Sequence, residues 1–361
     1  MEKSTSSNPA KISPKRLKYF KFLSLGFGLF FALFVGELVA RLNYFGIDAL
    51  SYTKVNSFVS IGVSGFLTKA NNGKVLYELK PNIDAYFKLK KFTTNRHGQR
   101  DKEYSLIKPE KTIRGIVLGD SFTMASGVDI EDAYHSVVEK SLNETDGDVQ
   151  FELINMGVGG YNLLNYLGLL EDKVLRYNPD FIIIGYCAFN DYFLPAQQHY
   201  EGDFSVKVKK KGRKPFFSFY LGGMIERTFA SSRNKSRMFE LGPEQKVFMQ
   251  DMFRQFQTFS QVNDIPVVIS VLSVLPDNGN MEIVQEIADQ YHIPITNSLG
   301  EIPPKKLSSY VISKLDHHPN AKAHKIYADN LLNFPKFQEV IQEQKEELYF
   351  KSTQEIKGNR P

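Results

Sequence analysis

The stretch Ile113-Arg114-Gly115-Ile116-Val117-Leu118-Gly119-Asp120-Ser121-Phe122-Thr123 decides the fold. A short run rich in β-branched residues, closed by glycine and small polar residues and followed by helical periodicity, predicts a buried strand that feeds a turn and a helix. In an open parallel sheet, ligands bind beyond the carboxyl ends of the strands, so a serine one step past the last strand residue points into the site. Gly119 permits the sharp bend. Alone, Gly119-Asp120-Ser121 is also what an ordinary turn uses. The weight therefore falls on whether other parts of the chain answer to it.

Outward from this stretch, the pattern alternates. Strands are predicted over Ile113–Leu118, Phe151–Asn155, Phe181–Tyr186, Pro266–Val271 and Pro294–Thr296, and helices over Glu131–Leu142, Asn162–Tyr177, Glu244–Asn263, Glu282–Tyr291, Ala321–Phe334 and Phe337–Leu348. Short apolar strands separated by amphipathic helices give right-handed βαβ units. The expectation is an α/β fold, a three-layer α/β/α sandwich around a five-stranded parallel sheet, over residues 113–348. A prelude over 41–112 reads as irregular, with β-like pieces at Lys74–Leu79 and Ala85–Thr94 and a turn-rich stretch from Thr94 to Asp101. There Arg100 reads as an exposed loop residue in preference to one that reaches a substrate anion. Residues 349–361 read as a flexible tail.

Phe22 to Ala40 is nearly unbroken apolar sequence interrupted by Glu37, preceded by Lys15, Arg16, Lys18 and Lys21. About 19 helical residues reach roughly 29 Å, close to the hydrocarbon thickness of a bilayer. A cleaved signal peptide also begins with a basic region. The run is longer than a usual signal core, however, and Arg41 follows it directly, so an uncleaved transmembrane anchor over 22–40 is the reading adopted. Basic residues ahead of the anchor place 1–21 in the cytoplasm and the rest outside it, in the periplasm or at the cell surface.

The 45 basic and 40 acidic residues are too balanced to imply nucleic acid, and 42% apolar content supports a substantial core. A single cysteine, Cys187, excludes an intrachain disulfide and reads as inert core in a buried strand. The seven histidines form no His-Glu-x-x-His pattern, and no cofactor or metal is expected. The insertion 192–241 exceeds an ordinary loop. Its basic cluster Lys207, Lys209, Lys210, Lys211, Arg213 and Lys214 reads as a solvated loop, or else as a lid or contact for anionic polymer or lipid headgroups.

Three stretches answer to Ser121. The second strand runs into Asn155-Met156-Gly157-Val158-Gly159-Gly160-Tyr161-Asn162, where free amides suit an oxyanion as well as a phosphate, without the Lys-Ser/Thr ending of a nucleotide loop. The third strand ends in Ala188-Phe189-Asn190-Asp191, whose asparagine can offer an uncharged N–H donor. Near the chain's end, Asp316-His317-His318-Pro319-Asn320 places an Asp two residues before a His, able to orient the imidazole. His317 is the rival base, His324 reads as a surface residue, and Asp120 and Asp191 read as structural.

In this order, and each at a strand end or helix start, these blocks resemble the four blocks of the SGNH (GDSL) hydrolase superfamily over roughly Ile113 to Phe334. The N-terminal anchor and the Thr94-Asn95-x-x-Gly98-x-Arg100 stretch are similar to its membrane-anchored bacterial branch. The resemblance implies a flavodoxin-like fold, with Ser121 as nucleophile, His318 as general base then acid, and Asp316 fixing its tautomer. It also implies an oxyanion hole built from the amides of Ser121 and Gly160 and the Asn190 side chain. Two departures stand out. Ala188 replaces a usual glycine, and one residue rather than two separates Asp316 from His318, a spacing similar to that of some polysaccharide O-acetyltransferases. The expected function is a membrane-anchored serine esterase acting on an acyl ester or acetylated glycan. O-acyl transfer to a cell-envelope glycan and a non-catalytic envelope binding module are the alternatives.

Overall fold

The computed structural model describes residues 13–59, 63–70, 72–145, 147–188, 191–192, 241–274, 279–298, 301–313 and 316–358. Asn190 and the basic stretch 207–214 lie outside the described residues. The chain divides into two units. In the smaller, the described part is one long helix, α1 (Pro14–Phe45), and a 3-10 turn to Leu50. Ser13 caps it by accepting from the Arg16 N–H at 3.4 Å, Pro14 sits in the first turn, and Gly46 at φ 57° ends it. Side chains from Phe22 to Val35 are exposed along its length. The one charge in the apolar run, Glu37, pairs with Arg41 one turn on at 2.9 Å. Its length and apolar composition fit a membrane span and fit a signal sequence equally.

The larger unit starts with α2 (Tyr52–Val59) and the prelude, which is more regular than its sequence pattern. Strands β1 (Leu67–Lys69) and β2 (Tyr77–Leu79) pair antiparallel, as do β3 (Asp84–Phe87) and β4 (Lys90–Thr93). Phe66, Phe87 and Phe92 pack as a ring cluster, with Phe66 stacked on Phe92 at 4.9 Å and Phe87 edge-on to both. These rings belong to the same core as one face of the central sheet.

The sheet follows as β5 (Thr112–Gly119), β6 (Gln150–Asn155), β7 (Phe181–Cys187), β8 (Val267–Leu272) and β9 (Ile295–Asn297). All pairings are parallel, in the order β6-β5-β7-β8-β9. The order reverses direction between β5 and β7, so the crevice at a topological switch point opens beside the end of β5, where Ser121 sits. Strand residues alternate between two cores: Ile116, Leu118, Ile182 and Ile184 face one side, and Val117, Phe181 and Ile183 the other.

The helices are α3 (Tyr134–Thr145), α4 (Leu163–Asp172), α5 (Pro243–Asn263), α6 (Asn280–Gln290), α7 (Ala321–Leu332) and α8 (Pro335–Gly358). Helices α4, α5 and α6 cover the first face together with the prelude, and α3, α7 and α8 cover the second, giving the three-layer α/β/α sandwich. An antiparallel hairpin, β10 (Val311–Ser313) with β11 (Asp316–Pro319), precedes α7.

As expected, a turn separates Ser121 from the next helix: the chain runs as successive turns through Gly127, with Ala125 at φ 55° and Gly127 at φ 78°, and the helix predicted from Glu131 starts at Tyr134. One expectation needs correction. The segment read as a flexible tail is helical as far as Gly358: Phe337, Val340 and Ile341 dock α8, Lys351 pairs with Glu347 at 2.6 Å, and no proline breaks the run.

Candidate active site

Ser121 sits one residue beyond Asp120 at the carboxyl end of β5, and the bend depends on a bare backbone. A Cβ on Gly119 would collide with the Thr123 side chain. The Asp120 carboxylate accepts the Phe122 N–H at 2.8 Å, and the Met124 N–H donates to the Asp120 carbonyl at 2.8 Å, which curls the chain tightly around Ser121.

The later carbonyls of the turn segment accept from a residue far away in sequence. Fully buried Arg100 donates to Met124 at 2.7 Å, to Val128 at 2.6 Å, to Lys91 at 3.2 Å and to Ala125. Its guanidinium lies 4.7 Å over the Phe92 ring. Burial lowers it to about 10, against the pull of Asp129, Glu131 and Asp101, so it stays charged at neutral pH. Arg100 is thus not exposed: it fastens the turn that carries Ser121 from behind.

Opposite Ser121, the short strand β11 turns one of the two adjacent histidines toward it. Successive strand side chains point to opposite faces, so His317 is exposed while His318 turns inward. His318 Nε2 lies 2.9 Å from Ser121 Oγ, and Nδ1 lies 2.5 Å from Asp316 Oδ1. The His318 N–H also donates to that Asp316 oxygen at 3.0 Å, and the Phe122 ring packs against the imidazole at 5.6 Å. Burial pushes the Asp316 carboxyl up, but the hydrogen bond and charge of His318, then those of Lys88, outweigh it and hold the group well below the usual carboxylate range. A hydroxyl, an imidazole and an ionised carboxylate therefore lie in line, the arrangement that lets an imidazole accept and return a hydroxyl proton. Ser121 Oγ has a weaker contact to Asp120 Oδ2 at 3.3 Å.

The glycine loop after β6 is held on every side. Gly157 N–H donates to Asn155 Oδ1 at 2.8 Å, Val158 N–H to the Gly119 carbonyl at 3.1 Å, Gly159 N–H to Met124 Sδ at 3.4 Å and Tyr161 N–H to the Val158 carbonyl at 3.1 Å. The Gly160 N–H has no acceptor among the described residues, nor has the Ser121 N–H. Gly160 adopts φ 86°, which a side chain would strain, and Tyr77 on β2 donates its hydroxyl to the Gly159 carbonyl at 3.1 Å. Asn190 lies outside the described residues. Its neighbour Asp191 is buried and accepts from the Cys187 N–H at 2.7 Å and the Tyr166 hydroxyl at 3.0 Å. Cys187 itself is buried in β7.

Sequence reasoning missed Lys88 and Tyr77, misplaced Arg100 as exposed, and saw Asn155 only as the start of the glycine loop. Asn155 bridges the two loops by donating to the Thr123 carbonyl at 3.0 Å while accepting from Gly157. His324 was read as a surface residue and is instead fully buried, its Nδ1 accepting the Tyr134 N–H at 3.2 Å. Among the described residues, no three or more His, Cys, Asp and Glu side chains cluster as a metal site would need.

No family model and no curated protein matches the chain. Solved structures similar to it include an α/β hydrolase enzyme from the metagenome of Lake Arreo, Spain, at 12% identity and TM-score 0.40, covering 62% of this chain and 95% of that one. TesA is similar at 14% identity and TM-score 0.39, over 61% and 96% of the two chains. An acetyl xylan esterase from Geobacillus stearothermophilus is similar at 12% identity and TM-score 0.36, over 62% and 95%.

Proposed function

We propose that this chain is a membrane-anchored serine esterase of the SGNH type whose catalytic unit faces away from the cytoplasm. The observation that carries the reading is the 2.9 Å contact of His318 Nε2 with Ser121 Oγ, backed by the 2.5 Å contact of His318 Nδ1 with Asp316. His318 takes the Ser121 proton as Oγ attacks the ester carbonyl carbon. Negative charge develops on the carbonyl oxygen, where the Ser121 and Gly160 amides, with the Asn190 side chain, supply donors. The imidazolium, stabilised by Asp316, protonates the leaving alcohol oxygen as the C–O bond breaks. Water then repeats the cycle on the acyl-enzyme, releasing a carboxylic acid and free Ser121. No step needs a metal or cofactor. Lys15, Arg16, Lys18 and Lys21, in α1 ahead of its apolar run, orient the helix with its start in the cytoplasm.

The single residue between Asp316 and His318 favours a second reading, in which a glycan hydroxyl rather than water accepts the acyl group. Both readings share the acyl-enzyme, and product analysis with an acetyl donor and glycan separates them. The deciding experiment for either is covalent labelling of the full chain by a serine-directed fluorophosphonate, together with turnover of a small acetyl ester. Wild type should label and Ser121→Ala should do neither. A wild-type chain that resists labelling leaves an envelope binding module as the better account.

A further inference from the structure

The hairpin joining β3 and β4 pairs Phe87 with Lys90, leaving only Lys88 and Leu89 in the turn. Both take positive φ, 48° and 75°. Two-residue hairpin loops of this hand favour Asn and Gly, because L side chains there crowd the backbone. A lysine and a leucine in those places persist only where the surroundings over-determine them, which is characteristic of functional sites. The surroundings do so here. Leu89 is buried, and its N–H donates to Ser57 Oγ on α2 at 3.2 Å. The Lys88 side chain is carried inward with only 14% of it exposed.

The ammonium arrives at the back of the Ser121–His318–Asp316 line. Lys88 Nζ lies 2.8 Å from Asp316 Oδ2, 3.0 Å from His318 Nδ1 and 3.5 Å from His318 Nε2. The two carboxylate oxygens of Asp316 thus have separate partners: Oδ1 faces His318 and Oδ2 faces Lys88. Resting on the serine-hydrolase reading above, we propose that Lys88 is a positioning residue of this site, which clamps the Asp316 carboxylate in register with the imidazole and cancels most of its charge as felt by His318.

The charge argument follows from distance. In a site with a bare carboxylate, the imidazole sees a net negative neighbour, which favours its protonated form and removes the free base as pH falls. With an ammonium ion-paired to the carboxylate, the pair presents little net charge to the ring, and loss of the ammonium would restore it. The groups acting on Lys88 are Asp316 and His318 on β11 and Asp120 on the nucleophile turn. Burial lowers the ammonium from its ordinary value against the opposing attraction of Asp316 and Asp120.

The test is the pH dependence of fluorophosphonate labelling and of kcat/KM for 4-nitrophenyl acetate, for wild type, Lys88→Met, Lys88→Gln and Lys88→Arg in the full chain. The proposal expects the acid limb of both Lys88→Met and Lys88→Gln to move up by about one pH unit, in keeping with removal of a charge a few ångströms from a titrating ring. It further expects their plateau kcat to fall about tenfold with KM within twofold, and Lys88→Arg to keep the wild-type limb. A merely structural lysine would reduce the amount of active protein and leave the limb where it was. Should Lys88→Met not fold, the comparison of Lys88→Gln with Lys88→Arg reads the same limb. Wild-type labelling at Ser121 with an unmoved limb in the neutral variants overturns the role of Lys88 alone. A wild-type chain that neither labels nor turns over ester removes the hydrolase reading, and Lys88 with it.

Discussion

Arg100→Met removes the fork that fastens the Ser121 turn while keeping most of the apolar stem against Phe92. Four carbonyls, those of Lys91, Met124, Ala125 and Val128, lose a donor. At about 1–3 kcal/mol for each buried acceptor left unpaired, the simple sum is an upper bound, because the turn can relax and Ala125 still accepts from the Val128 N–H at 3.1 Å. Breaking one side of a buried charged contact elsewhere costs about 3–5 kcal/mol, and that is the expected loss here. Against a typical domain stability of about 5–15 kcal/mol, the variant still folds. Its turn no longer fixes Ser121 Oγ within 2.9 Å of His318 Nε2, and a misplacement of about 1 Å costs on the order of 100-fold. Arg100→Lys should recover little, since an ammonium cannot bridge four carbonyls as a planar fork does. Guanidinium denaturation of the detergent-solubilised chain gives the stability term, and the fluorophosphonate labelling rate of the folded fraction gives the alignment term. A stability change under about 1 kcal/mol with labelling within threefold of wild type would show that the nucleophile turn holds its own shape and that Arg100 is incidental.

Gly160→Ala forces a side chain onto φ 86° and brings its Cβ to 2.8 Å from the Tyr77 hydroxyl; kcat for a small ester should fall about 100-fold with little change in KM, as for loss of one oxyanion donor, and a fall under threefold would detach Gly160 from the reaction. Acid should weaken the fold through two histidines: burial lowers His135 and His324 to about 3, so their neutral forms belong to the folded state, and stability present above about 6.5 is lost as pH falls towards 3. Each contributes a loss of about 2 kcal/mol between pH 7 and 5, while Asp101, raised by burial to about 7, regains about 2 kcal/mol over the same interval as it becomes neutral. The denaturation midpoint should therefore drop modestly from pH 7 to 5 and stay level in His324→Gln; a midpoint that rises on acidification in wild type would contradict the buried neutral imidazoles.

The sheet was legible because its strands are buried on both faces and read as uninterrupted apolar runs; the boundaries of β5, β6 and β7 fall within a residue or so of the pattern. Ser121, Asp316 and His318 were legible because strand ends and the loop before a helix are marked by local chemistry. Arg100 was not, since arginine in a turn-rich stretch is ordinarily solvated, and only the closure of distant segments surrounds it with carbonyls. His324 failed for the same reason: its helical periodicity says which face it occupies but not that Tyr134 lies against that face. Lys88 was unreadable because it sits 230 residues from its histidine partner, in a turn whose φ values contradict the usual residue preferences.

The missed residues share an origin, and this changes what the prelude is. Each corner of the site is held by a side chain from residues 77–100: Lys88 on Asp316 and His318, Arg100 on the turn around Ser121, and Tyr77 on the carbonyl beside Gly160. The same segment supplies Phe87 and Phe92 to the core on one sheet face, so its packing and its contacts to the site are one structure. A doubly wound sheet alone brings loop ends near one another to within the freedom of those loops. Alignment to a fraction of an ångström, which proton transfer between a hydroxyl and an imidazole demands, needs supports anchored outside the loops themselves. In this chain the short antiparallel hairpins do that work, and the region with the least regular sequence is the one that fixes the geometry of the most regular part.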